Sequence, residues 1–266
     1  MGIYVEAKVR ADLDELWLRT QDAASHQRWD LRFTEIRPLP GPEDAPVRFR
    51  YATRVLPGLT VSGTGVSAGE RERPDGTRTS ALRFDCPHPL SPLVEGSGYW
   101  RYVPDGDGVR FLTGYDYRPR WGRPGAVLDR LVFRPLMGWA TAWSFDRLRL
   151  WLEHGITPER ALLRWIAEMT VRSLVIAVSC FLLLAGPLQI AEVVGPLGPE
   201  AVFALPLVAA LAVTLALIKT PLPGTPAARR CLRTPPLRVR APLLPSLDGV
   251  RAGGTPALVC AEGSGT

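Results

Sequence analysis

The amino-acid sequence predicts an α+β domain at the N-terminus, followed by two transmembrane helices and a disordered basic tail. Three observations predict it. The first half alternates apolar and polar residues in several short runs, then changes to a three- and four-residue apolar spacing. Residues 173–191 and 201–218 contain no Asp, Glu, Lys or Arg. Residues 221–266 have no aromatic residue and many Pro and Gly.

The elements follow in order. Ile3, Val5, Ala7 and Val9 alternate with Tyr4, Glu6 and Lys8, the period of a half-buried strand. Asp12 is placed to cap a helix, with Glu15 at the capping-box position and Leu13, Leu16 and Trp17 on the apolar face. A second helical turn runs through residues 25–29. Val47, Phe49, Tyr51, Thr53 and Val55 alternate with Arg48, Arg50 and Arg54, and Pro57-Gly58 turns the chain. Residues 59–73 read as a longer strand, in which Gly63 and Gly65 mark a bulge or a close backbone approach. After the turn at Pro74-Asp75-Gly76, Leu82 and Phe84 alternate with Arg83 and Asp85. A Pro-rich loop over residues 86–92 leads to a strand around 94–103, where Gly96, Gly98, Trp100 and Tyr102 share a face. Asp105-Gly106-Asp107-Gly108 is a hairpin turn, beyond which Val109, Phe111, Thr113, Tyr115 and Tyr117 point one way. After Pro124-Gly125, Leu128, Leu131, Val132, Leu136, Trp139, Trp143, Leu148 and Trp151 predict one long helix, stopped at His154-Gly155. A strand, two short helices, about six antiparallel strands and a long helix covering one sheet face make the domain, residues 1–155. The patterns close on themselves before Thr157, so this domain is expected to fold alone.

Thr157-Pro158-Glu159 opens a new helix, with Thr as N-cap and Pro in the first turn. The segment 156–220 then carries the two charge-free runs, each long enough for a hydrocarbon core of about 30 Å, the second only just. Arg160, Arg164 and Arg172 precede the first run. From Lys219 onward there are seven Lys or Arg against two Asp or Glu, while the link holds Glu192 and Glu200 and no basic residue. Five of the six net positive charges therefore lie beyond the apolar runs and argue for topology, not for nucleic acid. Both flanks are expected in the cytosol, in a multi-pass cell-membrane protein. Residues 221–266 are too poor in apolar bulk to fold alone.

Residues 1–155 resemble the SRPBCC superfamily, also called START-like or polyketide cyclase/dehydrase-like. The segment VEAKVRADLDELWLRTQDAASHQRWD is similar to the family's opening strand, helix and Trp-Asp signature, here Trp29-Asp30. The segment GRPGAVLDRLVFRPLMGWATAWSFDRLRLWLE resembles its closing helix. The resemblance implies a helix-grip fold: an antiparallel sheet around a long C-terminal helix, with a deep apolar cavity between them. It implies binding of a lipid-like or other apolar small molecule. A cyclase/aromatase-like enzyme and an interaction protein with a filled core are the alternatives. Trp100, Tyr102, Tyr115, Met137 and Trp139 are the expected cavity wall, unless the same residues fill a packed core.

Catalytic motifs are not recognisable. There is no GxSxG, HExxH or phosphate loop, and no Ser/His/Asp set follows from spacing. Cys86, Cys180, Cys231 and Cys260 lie too far apart in sequence for a zinc motif or a disulfide framework, so neither metal nor cofactor is expected. His26 is expected at the surface, His88 in a loop near a cavity mouth and His154 at a helix end. Tyr102, Tyr115 and Tyr117 are candidate acids whose structural role is the expected one. Arg130, Arg134, Arg147 and Arg149 are read as the long helix's solvated face, with Asp146 and Arg149 as a weak i,i+3 pair.

Overall fold

A computed structural model describes residues 2–42, 45–184 and 198–236. Seven strands form one antiparallel sheet: β1 Ile3–Val9, β2 Glu35–Leu39, β3 Arg48–Leu56, β4 Leu59–Glu72, β5 Arg78–Asp85, β6 Leu93–Asp105 and β7 Gly108–Pro119. Their order is β1-β7-β6-β5-β4-β3-β2. Strands β2 to β7 form a meander, and β1 pairs with the free side of β7. Of these strands β2, short and carrying Pro38, was not expected from the sequence.

Helices α1 (Leu13–Gln21) and α2 (Ala23–Trp29) bridge β1 to β2. Asp12 caps α1: its Oδ1 accepts from the backbone N–H of Asp14 at 2.8 Å and of Glu15 at 3.2 Å. Asp22 ends α1 and caps α2 through Ser25 N–H at 2.8 Å.

The long helix is broken near its start. Helix α3 (Gly122–Leu128) passes into a π-helical turn, Asp129–Phe133, and then into α4 (Arg134–His154). Asp129 opens the π-helical turn with its carboxylate buried. It accepts from Tyr117 Oη at 2.5 Å and Arg134 Nη2 at 2.8 Å, pinning the turn to β7. Gly155, at φ 63°, ends α4 with its N–H on Leu150 and Trp151 carbonyls.

The sheet's inner face receives α4 mainly along β1. Ile3, Val5, Ala7, Val9, Val109, Phe111, Trp143, Phe145 and Leu148 are buried there together. Phe145 stacks on Phe111 at 4.3 Å between ring centroids.

Two expectations change at α4. Arg147 is buried and donates to Pro158 O at 2.8 Å, so it belongs to the junction with the next helix, α5 (Pro158–Leu184), and not to a solvated face. Asp146 is wholly buried and is bonded by more than its neighbour Arg149 (2.7 Å). It also accepts from Ala227 N–H and from Arg230 Nη1, each at 2.8 Å.

Those last partners come from the stretch expected as a tail from residue 221 onward, outside the expected domain of residues 1–155. After helices α5 (Pro158–Leu184) and α6 (Pro199–Ile218), the chain returns to the domain. Thr225, Ala227, Ala228 and Cys231 are buried, the last two within the core, and Leu232 exchanges backbone hydrogen bonds with Glu6 on the free edge of β1. The first compact unit accordingly runs Met1–Thr234. Composition hid this return, because it is held by a buried carboxylate, an open strand edge and small buried side chains such as Ala228 and Cys231, with no bulky apolar or aromatic residue to mark it. The rest of the tail, apart from Pro235 and Pro236, lies outside the described residues.

Helix α5 is, among the described residues, the one helix long and apolar enough to cross a membrane by length and composition, and few residues of its apolar stretch are buried. The apolar stretch of α6 is shorter, Ala204–Ile218. The two helices pack on each other. The expected link through residues 192–197 lies outside the described residues.

Candidate functional site

Register fixes which strand residues face the helices. Phe49 of β3 pairs with Gly65, Gly65 with Phe84, Phe84 with Gly96, and Gly96 with Tyr117. Ring and glycine thus alternate across five strands on the inner face. A Cβ on Gly65 would run into the Phe49 ring, and one on Gly96 into the Phe84 ring. The rings lie flat over the glycines, and the Gly63 backbone is likewise covered by Tyr51. Their flat posture makes a low apolar floor.

This floor is not covered as the rest of the inner face is. Phe49, Tyr51, Val61, Leu82 and Phe84 are only partly buried, whereas the inner residues of β1 and of the neighbouring part of β7 are buried. Helix α4 lies toward β1 and leaves the β3–β5 half of the face open.

A buried polar cluster stands beside the floor. Asp30 ends α2 with its side chain fully enclosed. Its Oδ1 accepts from Arg32 N–H at 3.0 Å and Arg32 Nε at 2.9 Å; its Oδ2 accepts from Arg32 Nη2 at 2.6 Å and His26 Nε2 at 3.0 Å. A carboxylate can only accept, so His26 Nε2 carries the proton. Burial works against the Asp30 charge, but the Arg32 guanidinium and the bonds from His26 and Arg32 hold its carboxyl well below the usual range. Burial also pushes the His26 imidazole down, against the pull of Asp30. Aromatic rings enclose the group: His26 stacks on Trp29 at 4.9 Å and meets Trp100 edge-on at 4.8 Å, and Phe33 at 5.4 Å. Arg32 lies 5.6 Å from the centroid of Tyr115. Asp30 is saturated with four donors and firmly ionised, which suits an anchor and not a proton acceptor.

His26 was expected at the surface; it is an interior group with a side chain 12% exposed. The i,i+4 spacing of His26 and Asp30, with Arg32 two residues on, was the available signal. His88 stays in its loop, its Nδ1 accepting from Leu90 N–H at 3.2 Å.

The five expected wall residues separate into three groups. Trp100 and Tyr102 are buried and both pack on Phe111. Tyr102 Oη lies 2.6 Å from Thr20 Oγ1, and burial raises its phenol above the ordinary value. Tyr115 Oη donates to Thr141 Oγ1 at 3.0 Å, since Thr141 itself donates to Met137 O at 2.8 Å. Met137 is half-buried in that same junction of α4 with the sheet. Trp139 turns to the other side, toward Trp143 and Trp165 of α5. Tyr102, Tyr115 and Tyr117 all spend their hydroxyls on internal bonds. Sequence reading did not nominate Phe49, Tyr51, Leu82 and Phe84 for the wall, although their alternation places them on one face.

No protein-family model matches the chain. An uncharacterized membrane protein, YndG of Bacillus subtilis (strain 168), is 48% identical over 159 residues, 59% of each chain. The chain thus spans less than two thirds of that relative's length. Among solved structures, a STAR-related lipid transfer protein from Xanthomonas axonopodis is 19% identical (56% of this chain, 84% of that one, TM-score 0.41). The Zhui aromatase/cyclase from Streptomyces sp. R1128 is 16% identical (56% and 95%, TM-score 0.38). A START superfamily protein from Mycobacterium smegmatis is 14% identical (52% and 91%, TM-score 0.39). At these scores the likenesses bear on neither ligand nor reaction.

Proposed function

We propose that this chain is a membrane-held module that binds a lipid-like or other apolar molecule on the open half of its sheet. The observation that carries the reading is the flat floor of Phe49, Tyr51, Leu82 and Phe84 beside the enclosed Asp30–Arg32 pair. Exposed contiguous apolar surface costs solvation free energy, and a bound apolar molecule offsets that cost. Tyr115 and Met137 bound the site on the α4 side in this reading. Trp100 and Tyr102 form the packed layer behind it, and Trp139 holds α5.

Membrane attachment is supported by the length of α5, by its packing on α6 and by the name of the 48%-identical relative. The return of residues 225–232 to α4 and β1 supports an even number of crossings, because both flanks of the helix pair then lie on one side. The arginines on both flanks support the cytosol as that side.

The test is mass spectrometry of molecules extracted from the full chain purified in nanodiscs. Wild type should carry an apolar compound in near-stoichiometric amount, and Phe84→Arg should carry at least tenfold less. Trp100→Ala should instead cost about 3–5 kcal/mol of stability, as truncation of a packed aromatic does. Equal recovery from wild type and Phe84→Arg would sink the proposal.

A further inference from the structure

The surface of α3, the π-helical turn and the start of α4 is unusually apolar. Val127, Leu128, Leu131, Val132 and Leu136 are all exposed, Leu131 by 70%. Trp121, next to α3, is exposed and held at φ 66°, a left-handed conformation that is uncommon for a bulky side chain. Arg123 and Arg130 are exposed within the same segment. The buried Asp129, gripped by Tyr117 and Arg134, anchors the turn from which these apolar residues project.

The position of this surface is set by α5. Arg147 bonds Pro158 O, and Trp143 and then Trp139 meet Trp165, so α5 runs back along α4 in the opposite direction. Leu131 lies eight residues before Trp139, and Ser173 eight residues after Trp165. Each is thus about two helical turns along its own helix from the tryptophan contact. Ser173 is where the charge-free run of α5 begins. The exposed leucines and the start of the charge-free run of α5 therefore lie on the same side of the tryptophan contact.

We propose that residues 121–136 form a second, peripheral membrane contact, with Trp121, Leu128, Leu131 and Leu136 seated at the headgroup–acyl boundary of an anionic bilayer. The inference rests on α5 being membrane-embedded. Leu and Trp supply apolar area, and Arg123 and Arg130 pair with anionic headgroups, the composition of an interfacial helix. Tyr117 ends the ring-and-glycine row and touches Phe133 at 5.6 Å, so this contact places the open floor at the bilayer surface, where an apolar ligand partitions.

The experiment reconstitutes the full chain in phosphatidylglycerol/phosphatidylethanolamine vesicles containing a phospholipid with a diazirine in its acyl chain. Adducts are mapped after photolysis. Adducts are expected on α5 beyond Ser173 and also on residues 128–136. The double substitution Leu131→Glu, Leu136→Glu, at exposed positions that the fold does not use, should keep the α5 adducts and lower those on the segment at least tenfold. Replacing the lipid by phosphatidylcholine should lower the segment's labelling and leave that of α5. Labelled α5 with an unlabelled segment would overturn this proposal alone. Undiminished segment labelling in phosphatidylcholine would overturn its anionic part. An unlabelled α5 would overturn the membrane-held reading on which it rests.

Discussion

At the scale of single residues, the Asp30 carboxylate organises the interior. Removing it leaves the Arg32 guanidinium, with a side chain only 10% exposed, without its partner. Breaking a buried pair on one side costs about 3–5 kcal/mol, so Asp30→Asn should lower the unfolding midpoint strongly in denaturant titration. His26 adds a pH dependence. Burial holds its imidazole below the ordinary value of 6.5, so below that pH the unfolded chain takes up a proton that the folded chain excludes. Stability should therefore fall as the pH drops from 7 towards 5, before Asp30 begins to protonate. Thermal unfolding of the detergent-solubilised chain across this range should show a shallower slope in His26→Gln. An unchanged slope would assign the acid sensitivity to other groups.

At the scale of elements, the return segment behaves as a strap. Burial pushes the Cys231 thiol up to about 12, and the side chain donates to Ala142 O at 3.3 Å, so it should be nearly inert to thiol reagents at pH 8. Asp146→Ala removes the acceptor for Ala227 N–H and Arg230 and should release the strap. In a background with Cys180 and Cys260 replaced by Ser, Cys231 labelling should rise at least tenfold in Asp146→Ala. The stability loss should be about 3–5 kcal/mol, the cost of dismantling a buried charged cluster. By the same logic residues 1–155 alone should be less stable than the chain through Thr234, since the shorter fragment leaves Asp146 with Arg149 as its one ionic partner.

At the scale of the whole molecule, the strap ties membrane topology to the fold. If α5 and α6 both cross, residues before Pro158 and after Lys219 share one compartment. A reporter fused after Arg240 should then read as cytosolic and one inserted near Gly198 as external. Opposite readings at both sites would reverse the orientation. A cytosolic reading at both sites would leave the helix pair on the surface, not across the bilayer.

Much of this architecture was legible from residue order. Period-two alternation placed Phe49, Tyr51 and Thr53 of β3 and the expected residues of β5, β6 and β7 on the inner face, because a strand's side chains can point only to two faces; Val47, nominated with them, precedes β3 and is exposed. Asp12 announced α1 and Gly155 the end of α4, since caps act through neighbouring residues. The charge-free run of α5 declared itself through composition alone. Three features were decided only by tertiary structure. His26 and Arg32 became interior groups because the enclosed Asp30 draws both inward. Arg147 and Asp146 left the solvated face because α5 and the strap cover that side of α4. The aromatic rings lay flat because glycines from neighbouring strands fall beneath them, a pairing set by register and invisible in any one segment. Sequence determines what is local in the chain, and contacts between residues far apart in it determine the rest.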